Sequence, residues 1–146
     1  MFVEVNGYKI EPGADLTGAN LEGAHLSGQR QDFAEVELAD LTGANLSGAC
    51  LSGACLSGAC LSGACLSGAT LTNADLSNVD LSNAELSKAD LSNANLTGAD
   101  LYRANLIEAN LTNANLTNAN LYAAHVTRAD LTGADFTGAV LTRLYR

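Results

Sequence analysis

Four cysteines stand at a regular spacing in the sequence, at Cys50, Cys55, Cys60 and Cys65. Thiolates bind zinc and form disulfides, so a metal site or a disulfide pair is the first chemistry that they suggest. The spacing CxxxxC is not one of the standard zinc spacings. Whether the thiols can converge depends on the backbone that carries them.

That backbone is built from a short repeat that runs through almost the whole chain. Leucine or another apolar residue recurs at every fifth position from Leu41 to Leu141, alanine usually precedes it by two positions, and a polar residue lies between them. A period of five fits neither an α-helix nor a β-strand. Short self-similar repeats are typical of solenoids, in which each coil buries its apolar residues against the next coil.

The second residue after each leucine is usually Gly or Asn, as at Gly63, Gly68, Asn73 and Asn78. These are the two residues that best tolerate a positive φ angle. A type II turn requires that conformation at its third residue. We therefore expect the chain to turn once in each unit, with Leu and Ala pointing inward and the other three residues pointing outward.

From Ala14 to about Arg143 these units resemble the pentapeptide-repeat family, whose pattern is A(D/N)Lxx. The resemblance implies an all-β solenoid, namely a right-handed quadrilateral β-helix with four units in each coil and about six to seven coils in total. On such a helix, residues about twenty positions apart are neighbours on adjacent coils, at the spacing of paired strands.

We predict three segments. Residues 1–13 form an N-terminal cap, in which Asn6-Gly7 is the turn of a short hairpin. Residues 14–143 form the β-helix, and residues 144–146 form a C-terminal tail. The unit 29–33 (QRQDF) is irregular because it places glutamines in inward slots, and it is interpreted as a bulge or small loop, with a ligand site as the alternative.

On this helix the four cysteines face four different sides of one coil, so they cannot form a tetrahedral metal site. We interpret them as outward thiols of a duplicated or designed segment, with a ring of modification sites as the alternative. The glycines form no phosphate-binding loop, and every serine is a repeat position. We therefore predict no catalytic residue, no metal ligand and no cofactor.

Two outward surfaces are candidates for interaction. Asp80 and Asp100 should be neighbours on one side of the helix, and Tyr102 and Tyr122 should stack beside Arg103. Tyrosine next to arginine is common in binding surfaces, although ordinary packing between coils explains the same pattern. A further column, Lys88, Glu108 and Arg128, should alternate in charge as cross-strand neighbours do.

The last coil is rich in apolar residues and has no helix-like cap in the sequence. An apolar end of this kind favours end-to-end association. We expect a homodimer that forms through Val140, Leu141, Leu144 and Tyr145.

The net charge is −9, which disfavours direct binding to nucleic acid or to an anionic membrane. No apolar run is long enough for a transmembrane helix, and no signal peptide is visible, so we expect a cytoplasmic protein. The favoured function is a non-catalytic scaffold that binds an unknown protein partner. The alternative, which the family resemblance implies, is an acidic DNA mimic that binds a type II topoisomerase (gyrase), as the quinolone-resistance members do. An enzyme is the least favoured class.

Overall fold

The computed structural model describes residues 3–11, 13–16, 18–24, 46, 48–51, 54 and 56–146. The irregular unit 29–33 and Cys55 lie outside the described residues. None of the described residues forms a helix that could cross a membrane.

The chain begins with a short antiparallel hairpin made of strands β1 (Val3–Val5) and β2 (Tyr8–Ile10). Its turn residues, Asn6 and Gly7, have φ angles of 50° and 80°. Two consecutive positive φ angles are the signature of a type I′ turn, whose twist matches that of the paired strands. The hairpin predicted at Asn6-Gly7 is confirmed.

The hairpin packs against the first coil of the repeats. Ile10 is buried in the same apolar cluster as the leucines of the coils. The side-chain amide of Asn6 donates a hydrogen bond to the backbone oxygen of Asn20, at 3.2 Å. These contacts cover one end of the apolar column.

Beyond the hairpin, each repeat consists of one turn and one single-residue parallel bridge to the next coil. Residues twenty positions apart pair with each other, as Asp80 does with Asp100. Leu101 N–H donates to Asn120 O at 2.7 Å, and Asn120 N–H donates to Ala99 O at 2.9 Å. Because four successive repeats pair in this way, the helix has four sides. We call the residues that pair along one side a column.

Leucine and alanine fill the interior. From Leu56 to Leu121 every residue at these two positions, Val79 included, is at most 1% exposed. Burying a leucine side chain contributes about 1.5–3 kcal/mol, so the stacked leucines of the interior are the main source of stability. The interior formed by the described residues is apolar, since none of their polar or charged side chains is buried in it.

The turn slot after each leucine has a positive φ angle, as predicted. Gly63 (65°), Asn73 (58°) and Asn113 (57°) are typical occupants. Six residues of other types adopt the same conformation, which costs an ordinary L-residue roughly 1–2 kcal/mol. They are Lys88, Arg103, Glu108, Ala123, Arg128 and Arg143.

One step in the pairing is longer than the rest. Asn20 pairs with Cys50, thirty positions later, whereas Cys50 pairs with Thr70 at the usual interval of twenty. The chain between Asn20 and Cys50 therefore holds ten residues, or two repeat units, more than one coil requires. The irregular unit predicted at 29–33 lies within this segment, outside the described residues.

The last coil, residues 126–146, is less buried than the coils before it. Leu131, Phe136 and Leu144 are half-buried, and Leu141 is exposed. Tyr145 pairs with His125, so the ladder of bridges extends past Arg143 into the segment that we had assigned to a tail.

Candidate binding surface

The acidic candidates Asp80 and Asp100 lie on adjacent coils of one column, as predicted. Both are half-buried, and each carboxylate accepts a hydrogen bond from the backbone N–H two residues later. Ser82 N–H donates to Asp80 at 2.9 Å, and Tyr102 N–H donates to Asp100 at 3.0 Å. The side-chain amide of Asn120 also donates to Asp100, at 3.0 Å.

This bond recurs at Asp75, Glu85, Asp90 and Asn110, so the outward polar residue fixes the turn that follows it. Asparagines on the next coil also donate to three of these carboxylates, as Asn105 does to Glu85 at 2.8 Å. Most of these acidic side chains therefore stabilise the fold. The sequence analysis did not predict these hydrogen bonds.

The cysteines that the structure describes do not converge. Cys50, Cys60 and Cys65 pair with Thr70, Asp80 and Glu85, which belong to three different columns. The thiol of Cys60 lies 4.0 Å from Asp80 Oδ2, and that of Cys65 lies 3.8 Å from Ser67 Oγ. Within the described part of the chain, no group of three or more His, Cys, Asp or Glu residues is arranged to hold a metal ion.

The predicted tyrosine stack forms. The ring centroids of Tyr102 and Tyr122 are 5.8 Å apart, and their planes differ by 11°. The guanidinium of Arg103 lies over the Tyr102 ring, 5.1 Å from its centroid. This is a cation–π arrangement.

A second stack lies on the other side of the same turn. The rings of His125 and Tyr145 are 4.4 Å apart at an angle of 15°. Arg143 places its guanidinium over Tyr122, 5.6 Å from the centroid, which is the ring of the preceding coil. The sequence interpretation missed both contacts, although the interval of twenty pairs His125 with Tyr145 and aligns Arg143 with Arg103.

Between these groups is a cleft of about 380 Å³. We call its lining the aromatic corner. It consists of Tyr102, Arg103, Tyr122, Ala123, His125, Arg143 and Tyr145. The volume is within the roughly 300–1,000 Å³ range of ligand pockets.

The predicted charge ladder forms on a neighbouring corner. Glu108 lies between Lys88, at 3.9 Å, and Arg128, at 3.4 Å. We call these three residues the charged corner. Neither Arg103 nor Arg143 has a carboxylate of the described residues within 4 Å.

The residues expected at a dimer interface lie on the last coil. Val140, Leu141 and Tyr145 are 45%, 39% and 50% exposed, and Leu144 is half-buried. Val140 pairs with Asn120, and Tyr145 also forms part of the aromatic corner.

A family model described as pentapeptide repeats matches residues 13–29, 33–63, 64–103 and 99–138, in eight copies. The chain belongs to the pentapeptide-repeat family. No curated protein matches it at a significant level.

Solved structures of other pentapeptide-repeat proteins resemble it. One from the thylakoid lumen of Arabidopsis thaliana is 34% identical, with a TM-score of 0.65, and the match covers 73% of this chain and 68% of that protein. HetL, a protein involved in heterocyst differentiation regulation in the cyanobacterium Nostoc, is 31% identical with a TM-score of 0.33, over 92% of this chain and 84% of HetL. QnrB1, a plasmid-mediated fluoroquinolone resistance protein, is 16% identical with a TM-score of 0.35, over 87% and 79% of the two chains.

With the family established, the fold of this pentapeptide-repeat protein is a right-handed quadrilateral β-helix with a hairpin cap. The fold prediction is confirmed. Because many functions share one fold, the function of this member has to be argued from its own surface residues.

Proposed function

We propose that this protein is a non-catalytic interaction module that binds a protein partner through the aromatic corner. The observation that carries the proposal is the contrast between this corner and the rest of the helix. Elsewhere the outward side chains are mostly Ser, Thr, Asn and Asp, and many of them are hydrogen-bonded within one coil or to the next coil. At the corner, stacked rings and two arginines surround a cleft.

Tyrosine and arginine are enriched where protein interfaces concentrate their binding energy. Tyr102 and Tyr122 are held in place by their mutual stacking, so little side-chain entropy is lost when a partner binds. Such preorganised aromatic groups favour recognition of a protein surface.

The test is affinity capture with the purified chain and the double variant Y102S/Y122S, followed by reconstitution with the purified partner. Serine is the matched replacement because Ser62 and Ser82 precede the tyrosines in the same column. The control variant, T112S/T132S, changes another face. We expect a protein that is captured by the wild type and by the control and is lost with Y102S/Y122S. Identical captured proteins for all three chains would refute the proposal.

The dimer is part of the proposed assembly. Val140, Leu141 and Tyr145 expose apolar surface on one coil, and a two-fold contact would bury them. Multi-angle light scattering of the wild type and of V140S/L141S tests this. We expect twice the chain mass for the wild type and the chain mass for the variant. A wild type that stays monomeric at high concentration would refute the dimer.

A second candidate is the acidic DNA mimic that binds a type II topoisomerase. The paired carboxylates of Asp80 and Asp100 and the net charge of −9 favour it. It ranks second because residues 56–146 contain eight Asp or Glu and five Lys or Arg, and so contribute only three of the nine net negative charges. Duplex DNA carries about one charge per 1.7 Å of its axis. A gyrase supercoiling assay that is unaffected by an excess of the protein would eliminate this candidate.

A further inference from the structure

Two corners of the helix carry long charged side chains in the turn slot. In the charged corner the slot holds Lys88, Glu108 and Arg128 on three successive coils. In the aromatic corner the same slot holds Arg103, Ala123 and Arg143. Each set of three therefore begins and ends with a cation, and the charge of the residue between the two cations differs.

In the charged corner the middle residue neutralises its neighbours. Glu108 has one carboxylate oxygen near Lys88 and the other near Arg128. Its φ angle of 59° shows that the slot accepts a glutamate. The repulsion between the two cations is thus offset by an acid of the same chain.

In the aromatic corner the middle residue is Ala123, which provides no charge. Its short side chain leaves room for Arg143 to fold back over the preceding coil, where its guanidinium lies on Tyr122. Ala123 is accordingly only 8% exposed. Two guanidiniums then lie on neighbouring rings, with no carboxylate of the described residues within 4 Å of either.

From this arrangement we infer that the aromatic corner binds an acidic segment of a partner protein, and that a carboxylate of the partner lies between Arg103 and Arg143 as Glu108 lies between Lys88 and Arg128. The inference rests on the proposed function and specifies its ligand. A guanidinium offers paired donors that match a carboxylate, and such charge-assisted hydrogen bonds are among the strongest in proteins.

The surroundings favour a peptide segment over an isolated ion. Rings of Tyr102, Tyr122, His125 and Tyr145 line the cleft on both sides of Ala123, so the chain that carries the carboxylate would have apolar surfaces to contact. The protein's net charge of −9 repels an acidic segment from most other surfaces. Together these features restrict an acidic partner to one corner.

The first experiment is an NMR titration of the full chain with a short oligoglutamate peptide, with the matching oligoglutamine peptide as the neutral control. The side-chain Nε–Hε signals of Arg103 and Arg143 report on the corner, and that of Arg128 is the internal reference. We expect saturable shifts at Arg103 and Arg143 with oligoglutamate, no saturable shift at Arg128, and none with oligoglutamine.

The decisive variant is A123E, which gives the aromatic corner the same charge sequence as the charged corner. The new side chain competes with the peptide for both guanidiniums, so we expect binding to weaken by about tenfold or more. A123Q has nearly the same size without the charge and should bind more tightly than A123E. The φ angle of Glu108 in the equivalent slot indicates that both variants fold.

Three results would overturn the inference. They are the absence of saturable shifts at Arg103 and Arg143, shifts of equal size at Arg128, and equal affinity of A123E and A123Q for oligoglutamate. A separate titration uses inorganic phosphate in place of the peptide. If phosphate alone gave saturable shifts while the peptide gave none, the corner would be a site for free anions instead. These results would not refute the proposed function, which is tested separately by the loss of the captured protein with Y102S/Y122S.

Discussion

The charged corner and the aromatic corner show how one backbone slot can serve either the fold or a partner. All six residues of the two columns have φ angles between 56° and 59°, where glycine or asparagine would be less strained. The charged corner offsets part of that cost with two ion pairs within the chain. The aromatic corner keeps its two arginines on tyrosine rings, without an acid of the described residues within 4 Å.

The difference in charge lies in a single residue, since Glu108 and Ala123 occupy equivalent positions between two cations. Exposed ion pairs contribute only about 0–1 kcal/mol each, so the charged corner is not essential for stability. It shows that a carboxylate can lie between two cations on this helix. Strain at an exposed corner with an unmatched charge is the kind of local conflict that is concentrated at functional sites.

The largest effect should come from the leucines behind the two corners. Leu106, two residues before Glu108, is fully buried, whereas Leu141, two residues before Arg143, is 39% exposed. We expect L106A to reduce the free energy of unfolding by about 2–5 kcal/mol, because it leaves a cavity in a packed column. In samples dilute enough to keep the chain monomeric, L141A should cost less than about 1 kcal/mol, because the side chain is then partly in water.

Guanidinium chloride denaturation of both variants, followed by circular dichroism, measures this difference. Equal losses for L106A and L141A would contradict the expectation for an exposed last coil. In concentrated samples the proposed dimer would cover Leu141, so the loss for L141A should be larger there and should fall on dilution.

The repeat itself allowed much of this arrangement to be predicted. A period of five with Gly or Asn in the turn slot gives the positive φ angles, and the interval of twenty gives the Tyr102–Tyr122 stack and the charge ladder at Glu108. The sequence could not show that Arg143 folds back onto Tyr122, because that contact depends on the rotamer of a long, exposed side chain.

An irregular unit was predicted at 29–33, but the length of the step between Asn20 and Cys50 could not be predicted, for a different reason. Its ten additional residues are a multiple of the five-residue period, so the Leu and Ala positions on both sides stay in phase. A five-residue pattern identifies inward and outward slots, but it does not count the units in a coil. The pairing of Asn20 with Cys50 shows that thirty residues separate these two neighbours, instead of the usual twenty.

A smaller effect is expected when the charge of the middle residue is changed in either corner. E108A removes the acid between Lys88 and Arg128, and we expect it to lower the free energy of unfolding by about 0.2–1 kcal/mol at low salt. A123E should change it by a similar amount in the opposite direction. Both effects should be screened at about 1 M NaCl, where the Debye length is near 3 Å.

Denaturation of the two single variants and of E108A/A123E at low and high salt checks this pair of predictions. E108Q and A123Q are the neutral controls of similar length. If A123E destabilised the chain at low salt as much as A123Q did, then Arg103 and Arg143 would not provide a site for a carboxylate, and the equivalence of the two corners would fail.

The smallest effect is the pH dependence of stability that comes from an outward residue two positions after the turn slot. Asp130 lies two positions after Arg128, where the aromatic corner has His125 after Ala123. The hydroxyl of Thr132 donates to Asp130 Oδ1 at 2.6 Å, and the backbone N–H of Thr132 donates at 3.0 Å. These hydrogen bonds, with the side-chain bond as the larger contribution, lower the pKa of Asp130 from its ordinary value of 3.8.

A lowered pKa in the folded state means that the unfolded chain takes up the proton first as the pH falls. The contribution of Asp130 to stability is therefore fully present above its ordinary pKa of 3.8 and is lost as the pH falls through the lower, folded-state value.

In D130N the amide oxygen can accept the same bonds, as Asn110 does from Thr112 in the preceding coil. We expect D130N to match the wild type near neutral pH and to lose less stability in acid. Asp135 shares this environment, so part of the acid sensitivity should remain in D130N. Denaturation midpoints measured from neutral pH to about pH 3 would reveal this difference. The same pH dependence in both chains would show that these hydrogen bonds do not distinguish the charged from the neutral carboxyl group.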